Sequence, residues 1–179
     1  MFKPLLAPLV LVLLAAGSAA AQAPAAEVQS LTKQLNRLMV DPKPEEPAEV
    51  LVSLADCGVR QTVRKYRSGD NPGALNISVS NSKNGSSWAA KSNDKVEFEL
   101  NLGLEWSEIG AVSYSLVKAE AKDPAHYDLK LLRRPAAKGG SKSGIDSITL
   151  PLYTTSETEV AEVVRRLRAV QRQCTGQKG

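Results

Sequence analysis

Aromatic residues are scarce, at 4% of 179 residues. Grooves that stack sugars or bases are built from such rings, so neither a carbohydrate cleft nor a base-stacking platform is well supplied. Histidine occurs once, at His126, and cysteine twice, at Cys57 and Cys174. Those three residues do not make the usual zinc ligand set. The nucleophile elbow G-x-S-x-G, the metalloprotease H-E-x-x-H and the calcium-loop pattern are all missing. Neither sign of charge dominates: 23 Lys and Arg stand against 19 Asp and Glu. A nucleic-acid binder gathers its basic groups into a face or stripe, so nucleic acid is not an expected partner. No cofactor or metal is expected, and there is no internal repeat. Beyond residue 21 no apolar run approaches the ~20 residues that span a bilayer.

The first 21 residues differ from the rest. Lys3 gives a short basic start, residues 5–16 are an apolar core, and Ala19-Ala20-Ala21 supplies the small residues a signal peptidase reads. The apolar core is too short to span a bilayer. Cleavage is expected between Ala21 and Gln22, with no lipid-accepting cysteine after it. The mature chain is therefore expected to be exported, periplasmic or secreted, with no transmembrane segment. In an oxidising compartment the default reading of Cys57 and Cys174 is one disulfide. The alternatives are a buried free pair or a redox pair, and the latter lacks a C-x-x-C arrangement.

Residues 156–174 read as one amphipathic helix. Val160, Val163, Val164, Leu167, Val170 and Cys174 recur every three or four positions. Ser156 and Glu159 form a capping-box pattern, Glu162 and Arg166 lie one turn apart, and Gly176 follows the end. Acids early and arginines late match the helix dipole. A solvated, balanced face accounts for the arginines without an anion site. Near the other end, Val28, Leu31, Leu35 and Leu38 predict a short helix, followed by a proline-rich linker at 42–47. Whether that helix packs on the domain or on another copy is left open by its sequence.

Between the helices the pattern has period two. Val50, Val52 and Leu54 alternate, then Cys57, Val59, Gln61 and Val63 alternate in the opposite phase. This predicts one long first strand with a bulge or bend at 55–58. Further strands are predicted around Leu75–Val79, at 86–90 with Trp88, at 96–106, at 112–116, at 127–131 and at 148–152. In the clearest of them, Val96 to Trp106, the residues Glu97, Glu99 and Asn101 are assigned to the wet face. Glu108-Ile109-Gly110 is read as a bend, His126 as a turn residue and 136–144 as a Gly/Lys/Ser-rich loop. The fold class is mainly β (α+β): an antiparallel meander of about seven strands, capped by the C-terminal helix. The domains are 1–21 leader, 22–47 helix and linker, 48–175 β domain with its helix, and 176–179 tail.

Residues 51–66 as a bent first strand, 96–106 as a central strand and 156–174 as a capping helix resemble the pleckstrin-homology-like barrel. The arrangement is also similar to small exported bacterial proteins of unknown function. This resemblance implies a partly open barrel closed by the helix. Lipid-binding members split their basic residues between the first two strands. Here Arg60, Arg64, Lys65 and Arg67 all fall on the first strand or its end, and residues 74–81 have no basic residue. The expected function is a non-catalytic exported domain that binds a protein or envelope component. The alternative is a small-ligand carrier with its site in or at the mouth of the barrel.

The first test of this reading is an intact mass taken under denaturing conditions from the exported fraction. The expected mass begins at Gln22 and lacks two hydrogens. A mass retaining residues 1–21, or one with two free thiols, would contradict it.

Overall fold

Five apolar side chains of the closing helix are buried along one face in a computed structural model of the chain, in which α2 runs Glu157–Thr175. The structure describes residues 25–42, 48–66, 77–83, 86–92, 96–120, 123–135 and 145–176. The leader with its Ala21–Gln22 cleavage point, the linker residues 43–47, the 136–144 loop and residues 177–179 lie outside them.

Ser156 Oγ accepts the Glu159 amide hydrogen at 3.2 Å, as a helix N-cap should. Other contacts replace the reciprocal half of the capping-box pattern. Glu159 instead accepts from Thr154 Oγ1 and from Arg37, each at 2.9 Å, and the Ser156 amide donates to Thr154 Oγ1 at 3.2 Å. The hydroxyl and the guanidinium give that carboxylate better partners than the amide behind it. Gly176 takes the left-handed conformation, φ 67°, and its N–H turns back to the carbonyls of Arg172 and Gln173.

The first helix, α1, spans Ala25–Leu38 and buries Leu31, Leu35 and Leu38. It lies against α2 and against two strands of its own chain, so it packs on the domain it precedes. Among the described residues eight antiparallel strands lie between the helices: β1 Ala48–Ser53, β2 Gly58–Tyr66, β3 Ile77–Lys83, β4 Ser86–Ser92, β5 Val96–Glu105, β6 Ile109–Val117, β7 His126–Arg133 and β8 Ser147–Leu152. They form a five-stranded sheet in the order β1-β2-β5-β4-β3 and a three-stranded sheet in the order β6-β7-β8. The mainly-β antiparallel class with a helix at each end is as the sequence predicts. Among the described residues the two sheets do not close into a barrel.

The expected long first strand is two strands. Asp56 and Cys57 both have φ 52°, and the Gly58 amide donates to the Ala55 carbonyl at 2.9 Å. Positive φ at both central residues gives a tight hairpin turn whose twist suits the flanking strands. The change of phase marks this reversal, not a bulge. Asn-Gly is the usual pair at such positions, and Asp-Cys disguised the turn. A second correction concerns the bend after β5. Residues 106–108 form the turn, and Ile109 and Gly110 already belong to β6. Ile109 is fully buried, which pins it to the core, and the register shifts between it and Ala111. A Cβ on Gly110 would sit 2.8 Å from Arg134 Cγ, so this bulge is packed tightly.

The core joins the dry face of the smaller sheet to both helices and to the hairpin end of the larger sheet. Leu129, Leu131, Ile148, Leu150 and Leu152 meet Trp106, Leu104, Val59 and the apolar stripes of α1 and α2 in one cluster. Each fully buried Val or Leu contributes about 1.5–3 kcal/mol before ordering costs. Cys57 and Cys174 are disulfide-bonded with Cα atoms 5.4 Å apart, joining the turn of the first hairpin to the last turn of α2.

The bridge closes a loop with 117 residues of sequence separation. The double variant Cys57→Ser/Cys174→Ser is expected to lose about 4–5 kcal/mol on the chain-entropy model. A urea titration reads this as a lower midpoint. An unchanged midpoint would show that the bridge does not restrict the unfolded chain.

Candidate interaction surface

The larger sheet has two faces of different character, and register assigns residues to each. On the dry face one row runs Asn81, Trp88, Leu102, Gln61, Val52 and the next runs Val79, Ala90, Leu100, Val63, Val50. Burial falls along these rows. Val52 and Gln61 are buried, Leu102 and Trp88 are half-buried, and Asn81 is exposed. In the next row Val50, Val63, Leu100 and Ala90 are half-buried and Val79 is 50% exposed. Phe98, one row further, is 43% exposed. The smaller sheet and helices therefore cover the β1–β2 hairpin end, and the corner carrying Val79, Trp88 and Phe98 stands beyond that cover.

Sheet edges show the same asymmetry. At β1, Asn36 of α1 imitates a neighbouring strand. Its Nδ2 donates to the Val52 carbonyl at 2.9 Å, and its Oδ1 accepts the Val52 amide at 2.7 Å. At β6, Arg168 Nη2 donates to the Val112 carbonyl at 2.8 Å and Gln171 Nε2 to the Ile109 carbonyl at 2.7 Å. At β8, Gln61 Nε2 donates to the Thr149 carbonyl at 3.0 Å. Strand β3 pairs with β4 on one side and is the last strand of its sheet on the other.

The opposite face carries a polar network. Arg64 Nε donates to Glu99 Oε2 at 2.6 Å, and Asn101 Nδ2 donates to Glu99 Oε1 at 2.8 Å. Thr62 Oγ1 donates to Asn101 Oδ1 at 2.6 Å, and Tyr66 donates to Glu49 at 2.8 Å. The hydrogen bond to Glu99, and then its charge, raise the Arg64 pKa above its ordinary value. Glu99 is only 4% exposed, which corrects the expectation of a solvated acid. The strand face was read rightly, but β2 lies alongside with Arg64 in direct register. Such cross-strand pairing joins and orders strands, and each member has a structural partner.

The remaining sequence candidates fall elsewhere. His126 opens β7 instead of sitting in a turn. Its Nδ1 lies 3.0 Å from the Pro124 carbonyl, its Nε2 lies 3.4 Å from Asp128, and its ring stacks obliquely on Tyr153. Burial, with Asp41 and other nearby acids, raises the Tyr153 pKa. No group of three His, Cys, Asp or Glu side chains converges as a metal site among the described residues. Two open hollows adjoin the first hairpin. One, of about 200 Å³, is floored by Gly58 and Gly103 and edged by Arg60, Ser87 and Glu105. The other, of about 270 Å³, lies beside the disulfide between Val28, Leu54, Val170 and Cys174. The larger hollow is bordered by both helices, which are tied by ionic contacts. Arg166 donates to Glu27 at 2.7 Å, to Gln34 at 2.6 Å and to Ser30 at 3.2 Å. The expected Glu162–Arg166 pair gives way to Glu162–Arg165, at 2.6 Å and 2.7 Å, because α1 supplies Arg166 with several acceptors.

The Arg166 hydrogen bond holds the Glu27 carboxyl below its ordinary range, against partial burial, which raises it. The unfolded chain therefore binds this proton more readily, and stability from the pair rises with pH. It is present above the ordinary carboxylate pKa of about 4.3 and is lost as pH falls through the lower folded value. Urea midpoints measured on both proteins should fall more steeply with acid for the parent than for Glu27→Gln. Parallel curves would contradict a contribution from this contact.

No protein-family model matches the sequence, and no curated protein or solved structure matches the chain.

Proposed function

We propose that the chain is an exported, non-catalytic domain that binds a protein or an envelope component through the uncovered corner of its larger sheet. The observation that carries this reading is the loss of cover towards Val79 and Phe98, on a sheet whose other end is packed into the core. Apolar side chains beyond the core boundary favour contact with another surface. Export is supported by the leader-like first 21 residues and by a disulfide of the kind that persists in oxidising compartments. No helix among the described residues is long and apolar enough to cross a membrane. The compartment of this reading is periplasmic or secreted. For the small-ligand carrier, pockets of drug-sized ligands typically hold about 300–1,000 Å³. The described hollows are smaller and lie at the margin of the core, so that alternative has less support.

The test is photocrosslinking in intact cells of the host, with a photoreactive residue placed singly at Val79, at Phe98 and at exposed positions across the other faces. A discrete crosslinked species from the Val79 and Phe98 positions is the expected result. Absence of any discrete species from every position would overturn the binding reading. So would a hydrolase or transferase activity that co-purifies with the protein and is abolished by one point substitution in it.

A further inference from the structure

We propose that His126 is a proton-sensitive clasp, which fastens the start of β7 and the end of α1 when its ring carries a second proton. The device lies apart from the uncovered corner of the larger sheet and does not depend on what binds there. The chain has one histidine, and its ring is held on both sides. Nδ1 lies 3.0 Å from the Pro124 carbonyl, and Nε2 lies 3.4 Å from Oδ1 of Asp128. A carbonyl oxygen only accepts, so Nδ1 bears the hydrogen of the neutral ring. Nε2 then sets a bare lone pair against a carboxylate. Proton uptake at Nε2 turns that opposition into an attraction between unlike charges and gives both ring nitrogens a hydrogen to donate. His126 is 16% exposed and Asp128 23%, so salt and water screen this contact less than one on the open surface.

The clasp reaches three elements. Tyr127 pairs with Leu152, which brings Tyr153 beside His126, and the two ring centroids lie 5.3 Å apart. The Tyr153 amide donates to the Leu38 carbonyl, at the end of α1, at 2.7 Å. The surroundings are acidic. Burial, and then the charges of Asp41, Asp123 and Asp128, hold the Tyr153 hydroxyl above its ordinary value. Those acids complement a positive ring. Lys130 also approaches Asp128, but at the longer distance of 3.9 Å. On the remaining sides Val117 pairs with His126 and is followed by Lys118, and the Glu120 amide donates to the Asp123 carbonyl at 3.0 Å. Among unperturbed side chains only histidine changes charge between about pH 5 and 8. The seating of the end of α1 therefore responds to pH in a range above that of the Glu27–Arg166 contact.

The attraction exists only in the folded chain. It adds stability as the ring gains its proton and is lost as pH rises through the histidine range. Nitrogen NMR of the imidazole reads the one histidine directly in the intact disulfide-bonded protein. At about pH 8 the hydrogen is expected on Nδ1, and the acid form adds one at Nε2. Urea titrations compare the parent with His126→Asn, which cannot titrate. The parent-to-variant ratio of folding equilibrium constants is expected to be about two- to fivefold higher at about pH 6 than at about pH 8. Asp128→Asn should remove most of that rise. In the parent, protection of the Tyr153 amide, corrected for the intrinsic pH dependence of exchange, should increase towards acid over the same range. A hydrogen on Nε2 at about pH 8, a ratio that is flat or falls towards acid, or a rise that survives Asp128→Asn would overturn the proposal. A rise with unchanged protection at Tyr153 would overturn the link to α1.

Discussion

The packing of α2 is the contact on which the rest of the structure depends. Its apolar stripe, from Val160 to Val170, fills the space beside the smaller sheet. Its polar flank then does three further things. Arg168 and Gln171 bond to the β6 edge, Arg166 binds α1, and Cys174 is covalently joined to the first hairpin. Helix α1, held in this way, presents Asn36 to the edge of β1. One amphipathic helix thus leads, directly or through its partner, to the protection of two sheet edges. The disulfide reinforces the same arrangement by fixing the last turn of α2 to a hairpin turn with two residues at positive φ. Such residues cost about 1–3 kcal/mol each where the surroundings enforce them, and here a covalent bond and the turn after β5 do so: the Trp106 amide donates to the Cys57 carbonyl at 3.0 Å.

The core is therefore placed at one end of the larger sheet and not across its middle. Strands β3 and β4 extend past it, held by pairing to one another and to β5. That division gives the two ends different surroundings. The bridged end is shaped by packing, and the other corner keeps Val79 and Phe98 exposed. The polar network around Glu99 belongs to the sheet itself: its groups bond across β2 and β5 and order the strands from the opposite face.

Local pattern made some of this legible in the sequence. The valine and leucine spacing in α2, the Ser156 cap, the Gly176 stop and the alternation in β5, β7 and β8 are each decided within a few residues. The cysteine pair was legible because two cysteines behind a leader-like start admit one simple disulfide. Other features depend on which strands become neighbours. The β2–β5 pairing crosses some forty residues, and it determines that Glu99 meets Arg64 and that the strands divide into two sheets. Asn36 gave no sign of its role, because an asparagine on a helix reads as surface until a strand edge is set beside it. The Asp56–Cys57 turn was hidden by chemistry: the glycine that usually marks this position is replaced by the cysteine of the bridge. The exposed corner was hidden by its own regularity, since Val79 alternates like a core residue.

Native-state hydrogen exchange of the oxidised protein measures this division most directly. Amides of β7, β8 and α2 are expected to exchange only through global unfolding, and those of β3 and β4 through cheaper local opening, with β5 grading from slow at Leu104 to faster at Phe98. Equal protection across the larger sheet, or slower exchange in β3 than in β7, would contradict a core seated at one end and an open corner at the other.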